Sequence, residues 1–440
     1  MRERLLTSAR DAIAMATEAG APVATASTWW TRSLSIKHRE RRIEKLQEST
    51  SQGLSLAVIL DGRYAVNSTT DLRPDALRAW VAEAVATARY TAEDPHRTLP
   101  DPARYGGQTT VDLDLFDPAV AALTADDLIP LARDAEAAGL DGGGDDVISI
   151  TASSGARHAA GALVQSNGFE GSKEATSFSV GSSVTVKDEN ERRPAGGSYA
   201  STRYVSDMPP ALDVGEDALA RALERRREAR GQTRVAPVVV ENRVARSLIR
   251  RLMWPLSGRA LQQRRSMFEG KLGEALLASG FSLRDDPHRV RGLGSRVFDG
   301  EGVATAPRPV FEDGVLRTFF IDTYYGNKLG LAPTAGGSSN LILEPGIREP
   351  AELITDAEGG LYIQGFLGGN ADSTTGDFSF GVRGRRIEGG ELGAPVNEMN
   401  ATGNLIDLFA GFVEAANDPY PYSSTLCPTL LFDGVQISGA

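Results

Sequence analysis

Residues 238–258 read VVVENRVARSLIRRLMWPLSG, and a change of period within them decides how this part of the chain folds. The apolar run Val238–Val240 predicts a buried strand. The next apolar residues recur at the three-to-four spacing of an amphipathic helix. They are Val244, Ala245, Leu248, Ile249, Leu252 and Met253. Pro255 and Gly258 end this pattern, so the stretch predicts a strand followed directly by a helix.

The N-terminal part of the chain has the pattern of a small α+β unit. Apolar residues alternate on both sides of the turn Asp61-Gly62, which predicts a β-hairpin, and a helical pattern begins after it at Pro74. We therefore predict an N-terminal α+β domain over residues 1–94. The proline-rich residues 95–118 are predicted to be a linker.

Residues 119–232 are predicted to form a middle α+β domain. A helix is expected from Thr124 to Gly139, with Asp127 completing a capping box, and the acidic glycine stretch after it is expected to be a loop. Three strand-like runs follow, and a helix around Leu219 closes the segment. The runs are 147–151, 162–165 and 176–186.

Residues 233–440 are predicted to form a C-terminal domain rich in β-structure. Beyond Gly292 short strands alternate with glycine turns, as at Glu312-Asp313-Gly314, which favours a largely antiparallel arrangement. A chain of 440 residues has room for two or three domains. The predicted fold class is therefore α+β throughout, with the helix of residues 244–253 inside the β-rich domain.

The composition disfavours several classes of partner. A net charge of -11 repels phosphate backbones, and the basic run Glu224–Arg230 is interpreted as the solvated end of a helix. No stretch approaches the roughly 18 apolar residues of a membrane span, and the N-terminus lacks the apolar core of a signal peptide. The single cysteine, Cys427, excludes an intramolecular disulfide. We expect a cytoplasmic protein that binds neither nucleic acid nor membrane.

Residues that could carry catalysis are few. The histidines are His38, His96, His158 and His288. No two of them have the one-turn spacing that places metal ligands on one helical face, so a scattered set of surface or loop histidines is the favoured interpretation. Cys427 is interpreted as a buried apolar residue rather than a nucleophile, because no base is evident beside it. The acidic pair Asp299 and Glu301 is a weak alternative, since acidic residues commonly occupy turns.

Residues 247–281, SLIRRLMWPLSGRALQQRRSMFEGKLGEALLASGF, resemble the metal-helix region of the TldD/PmbA family. Active members of that family carry His-Glu-x-x-x-His at this place. Further stretches similar to the family are spread over most of the chain. They include LAVILDGRYAVNSTTDL (56–72), LVQSNGFEGSKEATSFSVGSSVTV (163–186) and TTGDFSFGVRGRRIEGGELGAPVNEMNATGNL (374–405). Their order and coverage identify the chain as a member of the family.

The resemblance places the family's functional positions on unsuitable residues. In an alignment without gaps, the two histidine positions fall on Ile249 and Trp254, and the glutamate position falls on Arg250. Cys427 is matched to a cysteine that active members use near the C-terminus. These four residues are the predicted degenerate zinc-site positions. Aliphatic, indole and guanidinium groups offer Zn²⁺ no lone pair, so no catalytic residue and no metal are expected in this chain.

The pattern without the motif resembles the TldE (PmbA) subunit of the family. This implies a non-catalytic subunit that pairs with a zinc-bearing TldD-like subunit and takes unfolded peptide as an extended chain. Family members are linked to maturation of peptide antibiotics and to toxin–antitoxin turnover, and older naming calls them modulators of DNA gyrase. The alternative is a stand-alone homodimeric peptide-binding module without peptidase activity. A third hypothesis is an unrelated hydrolytic site at Cys427 or at Asp299 and Glu301.

Overall fold

A computed structural model describes residues 1–439 and shows a six-stranded sheet in the N-terminal half. All of its neighbouring strands are antiparallel, in the order β3-β2-β1-β4-β5-β6. The strands are β1 (Val23–Arg39), β2 (Arg42–Leu60), β3 (Arg63–Thr69), β4 (Val147–Gln165), β5 (Glu170–Val186) and β6 (Ala195–Thr202). The predicted hairpin is confirmed, since β2 turns into β3 at Asp61 and Gly62.

Five helices accompany this sheet. They are α1 (Arg2–Glu18), α2 (Pro74–Ala88), α3 (Pro118–Ala122), α4 (Ala125–Gly143) and α5 (Ala211–Leu223). Apolar residues of α1 and α2 pack together over β1 and β2, and those of α4 and α5 pack over β4 and β5. The predicted capping box of α4 is present between Thr124 and Asp127.

Some predicted elements in this half are longer in the structure. The runs 147–151 and 162–165 belong to one strand, β4, whose middle is rich in alanine, serine and glycine and therefore lacks an alternating apolar pattern. Pairing with β1 and β5 on both sides supplies its backbone hydrogen bonds. Helix α4 does not stop at Gly139 but continues to Gly143. The absent side chain at Gly139 lets the helix approach Ile150, whose Cδ1 lies 2.4 Å from where a Cβ would stand.

The first and second predicted domains contribute to the same sheet. Strand β1 pairs with β4 over most of its length, from Thr25 to Arg39. The intervening proline-rich segment contains the short 3-10 helix Pro102–Arg104 and otherwise little regular structure. The boundaries at residues 94 and 118 stay a prediction.

The C-terminal half contains two further sheets, of five and six strands, in the orders β10-β9-β8-β11-β16 and β14-β13-β12-β7-β17-β15. An additional pairing joins β14 to β17. The strands are β7 (Arg234–Val240), β8 (Leu283–Asp285), β9 (Arg308–Glu312), β10 (Val315–Leu316), β11 (Leu341–Leu343), β12 (Leu361–Ala371), β13 (Asp377–Glu388), β14 (Glu391–Asn404), β15 (Phe412–Ala415), β16 (Thr425–Leu426) and β17 (Leu430–Ser438). Most neighbours are antiparallel, while β12–β7 and β11–β16 are parallel.

Five helices lie between these strands. The two halves together confirm the predicted α+β fold class with a β-rich C-terminal region. The helices are α6 (Asn242–Met253), α7 (Gly258–Gln262), α8 (Thr323–Leu329), α9 (Pro350–Asp356) and α10 (Leu405–Ala410). Short 3-10 turns occur at Gly144–Asp146, Glu189–Glu191 and Val205–Asp207. Across residues 1–439, none of the helices has the length and apolar character needed to cross a membrane.

Arginine side chains join the two halves. The guanidinium of Arg203 donates to the carbonyl of Leu293 at 2.6 Å, and that of Arg104 donates to the carbonyls of Pro333 and Thr334 at 3.0 Å. Nearer to α6, Arg243 donates to the carboxylate of Asp217 on α5 at 2.6 Å. Helix α6 is therefore held against both halves of the molecule.

Candidate functional site

Helix α6 forms where the sequence predicts it, directly after strand β7. Its buried residues are Ala245, Leu248, Ile249 and Leu252, each at most 2% exposed. They belong to the large hydrophobic cluster of the C-terminal half, which also contains residues of β7 and β12. Burial of this face, rather than helix propensity, holds α6 in place, because an isolated helix of 12 residues is marginal in water.

The four degenerate positions do not converge on one point of the surface. Ile249 is fully buried, whereas Arg250 is exposed and Trp254, the residue after the last turn, is 45% exposed. Cys427 is fully buried in the same hydrophobic cluster as Ile249. Its thiol points to the carbonyl of Pro428, and burial raises its pKa well above the ordinary value, which disfavours the reactive thiolate.

The side chains at these positions do not fit a zinc ion. A catalytic zinc site takes three nitrogen, oxygen or sulfur ligands and leaves one position for water. Isoleucine, arginine and tryptophan supply no such ligand. Within residues 1–439, no group of three or more His, Cys, Asp or Glu side chains is placed to hold a metal ion.

The histidines contact partners elsewhere in the fold, and the surface or loop interpretation is wrong for His38, which is 5% exposed within β1. His38 Nδ1 lies 2.6 Å from Glu136 Oε2, and His158 Nε2 lies 2.7 Å from Glu174 Oε1. His288 Nε2 lies 3.3 Å from a threonine hydroxyl oxygen. His96 lines an open cavity of about 520 Å³ together with Arg97 and other residues. That cavity contains no residue of α6.

The acidic pair Asp299 and Glu301 is engaged in loop contacts. Asp299 Oδ1 accepts hydrogen bonds from two backbone amides of its own turn. Glu301 Oε2 accepts from the backbone amide and the hydroxyl of Thr323, at 2.9 and 3.0 Å. Burial raises the pKa of Glu301. These contacts favour a role in fixing the start of α8 rather than in hydrolysis.

The solvent side of α6 carries a feature that the sequence reasoning missed. Arg243, Arg246, Arg250 and Trp254 are spaced by three or four residues and share an arc of about 80° opposite the buried face. We call these four residues the α6 arginine face. The three-to-four spacing of these residues is present in the sequence, but the sequence prediction used only the apolar residues on the opposite side of the helix.

Aromatic rings flank the α6 arginine face at both ends. The guanidinium carbons of Arg243 and Arg246 lie 5.1 and 5.6 Å from the ring centre of Tyr420. At the other end, the guanidinium carbon of Arg259 lies 5.6 Å from the ring centre of Trp254. Such distances allow cation–π attraction, which limits the motion of the long side chains.

Profiles of known families cover most of the chain. Residues 30–88, 118–226 and 233–439 match, respectively, domain 1, the central domain and the C-terminal domain described for PmbA/TldA metallopeptidases. Over 424 residues the chain is 30% identical to the metalloprotease PmbA of Escherichia coli O157:H7, covering 96% of this chain and 92% of that protein. The chain belongs to the PmbA/TldD family. The membership expected from the sequence is confirmed.

Other members of the PmbA/TldD family agree with this assignment. A PmbA homologue of Haemophilus influenzae is 30% identical, covering 97% of this chain and 94% of its own length. A crystal structure from Bacteroides thetaiotaomicron, of a protein described as a proposed modulator of DNA gyrase, is 37% identical with a TM-score of 0.96, covering 99% and 98% of the two chains. TldE from Thermococcus kodakarensis shares the fold, with a TM-score of 0.88 at 17% identity over 98% of this chain and all of that one.

Proposed function

We propose that this chain is the non-catalytic, TldE-like subunit of a heterodimeric TldD/TldE metallopeptidase that degrades or matures unfolded peptides. Family membership and the metalloprotease names of its relatives support the peptidase context. The observation that carries the subunit assignment is that Ile249, Arg250 and Trp254, which the family resemblance matches to the zinc motif, supply no zinc ligand. In this proposal the chain holds no zinc, and a TldD-like partner supplies the metal.

The division of labour follows from what each subunit can contribute. Polarising a peptide carbonyl and activating water require a metal with an open coordination position and a carboxylate base. The guanidinium of Arg250 offers only hydrogen-bond donors and cannot serve as the base that takes a proton from water. The chain can instead bind an extended peptide through backbone hydrogen bonds, which by themselves give little sequence preference.

A stand-alone homodimeric peptide-binding module is the second candidate. It is favoured by the α6 arginine face, because a binding surface of arginine and tryptophan operates without a metal. The two candidates differ in what the chain assembles with. A heterodimer with a TldD-like protein supports the first, and a homodimer that persists in the presence of that protein supports the second.

The proposal is tested by reconstitution. A fluorescently labelled unfolded peptide is incubated with the purified chain, with a TldD-like protein from the same organism, and with both, and the assemblies are sized by light scattering. We expect heterodimer formation and cleavage by the mixture that a chelator abolishes. A partner variant with glutamine in place of its motif glutamate is the matched control and should assemble without cleaving. Chelator-sensitive cleavage by the pure chain would overturn the proposal.

A further inference from the structure

We propose that the α6 arginine face binds acidic segments of the peptides that the complex processes. This inference rests on the proposed function, which supplies a peptide substrate, and adds the charge class of the segment that this subunit recognises. It also gives a role to Arg250 and Trp254, which have none as degenerate zinc-site positions.

The dimensions of the face suit an extended peptide. Arg243 and Trp254 are separated by 11 helical steps, which span about 16 Å at the helical rise of roughly 1.5 Å per residue. An extended peptide advances roughly 3.3 Å per residue, so about five residues run along the face. Guanidinium groups bind carboxylates through paired hydrogen bonds, which makes Glu and Asp side chains the matching ligands.

The charge of this region is poorly neutralised by the protein itself. Among residues 1–439, neither Arg246 nor Arg250 has a carboxylate oxygen within 4.0 Å, and the same holds for the neighbouring Arg251 and Arg259. Only Arg243 forms an ion pair, with Asp217 at 2.6 Å. The guanidinium of Arg251 lies 4.1 Å from the ring centre of Phe380, and burial lowers its pKa. The face thus presents two positive charges without a carboxylate partner in the described chain, at Arg246 and Arg250.

This local charge contrasts with the net charge of -11 on the chain. An acidic peptide is repelled by the molecule as a whole and attracted only where cations are concentrated, which directs it to α6. Nucleic acid is a poorer match, because its binding is governed by many phosphate contacts along an extended basic surface. A face about 16 Å long offers few such contacts.

Aromatic rings at the two ends of the face restrict the motion of nearby arginine side chains. Tyr420 is 6% exposed and donates its hydroxyl to the carbonyl of Tyr199 in β6, so its ring is fixed beneath Arg243 and Arg246. Trp254 is exposed and is approached by Arg259. Because these arginine side chains are already confined, less conformational entropy is lost when a carboxylate binds.

The inference is tested by fluorescence anisotropy with the full chain at low ionic strength. The probes are fluorescein-labelled (Glu-Gly)5 and (Gln-Gly)5 peptides, which differ in charge but little in shape. We expect clear binding of the glutamate peptide, weakened about tenfold in Arg246→Gln/Arg250→Gln, because two charge-assisted contacts with its carboxylates are lost. Added salt should weaken it as well.

A matched control separates this site from net charge. Arg89→Gln/Arg193→Gln removes two charges from exposed arginines that form no ion pair in the described chain, and it should bind the glutamate peptide like the wild type. Circular dichroism confirms that both double variants are folded. Equal losses in the two double variants would overturn the inference, because binding would then follow overall charge.

Two further outcomes also decide the inference. Equal binding of both peptides by the wild type overturns it. If the reconstituted complex nevertheless cleaves the neutral peptide, the proposed function stands and only the inference fails. A labelled oligothymidylate of the same charge serves as the third probe. Tighter binding of that probe than of the glutamate peptide, lost in Arg246→Gln/Arg250→Gln, would identify a nucleic-acid surface instead.

Discussion

Two arginine-rich segments lie close together in the sequence, residues 224–230 and helix α6, and the structure treats their charges differently. In the first segment each arginine pairs with a carboxylate. The pairs are Arg225–Glu228 at 2.8 Å, Arg226–Asp146 at 2.8 Å, Arg227–Glu189 at 2.9 Å and Arg230–Glu398 at 2.7 Å. On α6, within the described residues, only Arg243 has such a partner. Similar local composition thus produces a neutralised segment in one place and a cationic surface in the other.

The origin of the difference is the position of each segment. Residues 224–230 run between the two halves of the molecule. Their arginines reach carboxylates of the segment itself, of the N-terminal half and of β14. Helix α6 has one side in the core, while its other side contacts α5 through Arg243 and is exposed at Arg250 and Trp254. A run of arginines therefore indicates a binding surface only when its carboxylate partners are known to be absent.

The largest effect is expected at the buried side of α6. Ile249→Ala should lower the free energy of unfolding by about 3–4 kcal/mol, because it removes buried methyl groups and leaves a cavity. Urea denaturation measures the loss. Ile347→Ala is the control of the same residue type, 92% exposed, and should change stability by less than about 0.5 kcal/mol. Similar changes in the free energy of unfolding for the two variants would contradict the burial of Ile249 in the core.

A smaller loss of stability is expected when an ion pair of residues 224–230 is removed. Glu228 is 6% exposed and accepts hydrogen bonds from Arg225 and from Asn397. Glu228→Gln should cost about 2 kcal/mol of unfolding free energy, because a partly buried guanidinium loses its charged partner. The exposed Glu391, which has no ion pair in the described chain, provides the control Glu391→Gln. A loss that does not exceed the control would show that pairing contributes nothing here.

At the exposed end of the same segment the loss should be slight. The side chains of Arg227 and Glu189 are 75% and 64% exposed. Solvent screens such a pair, so Arg227→Gln should cost about 0.5 kcal/mol at most, measured in the same denaturation series. A loss comparable to that of Glu228→Gln would mean that burial does not set the strength of these pairs.

The smallest effect on stability is expected on the α6 arginine face. Arg250→Gln removes a charge without a partner in the described chain, so the unfolding midpoint in urea should stay within error of the wild type. Anisotropy with the glutamate peptide should nevertheless detect weaker binding. A destabilisation above about 1 kcal/mol would show that Arg250 supports the fold, and the comparison between the two segments would then fail.

Much of the local structure was predictable because short-range rules govern it. The strand β7 and helix α6, the β2–β3 hairpin and the capping box at Thr124 all follow from spacing and turn chemistry. The continuous strand β4 was not predictable, since its alanine- and glycine-rich middle depends on pairing with β1, more than 100 residues away in sequence. The extension of α4 through Gly139 likewise depends on contact with Ile150.

The candidate site was likewise predictable only in part from the sequence. Residue types alone indicate that Ile249, Arg250 and Trp254 supply no ligand for zinc, and the burial of Cys427 agrees with its interpretation as an apolar residue. The correspondence of these four positions to the family's motif stays a prediction. The ion pairing of arginines involves residues distant in sequence, such as Arg226 with Asp146, so the cationic character of α6 emerges only from the fold.

Helix α6 is proposed to bind peptide and not to hold zinc. The most direct test is the zinc content of the purified chain after incubation with zinc and removal of the unbound ion, measured by native mass spectrometry. We expect a chain without stoichiometric zinc and without peptidase activity. One zinc ion per chain, removed by a chelator together with peptide cleavage by the chain alone, would contradict it.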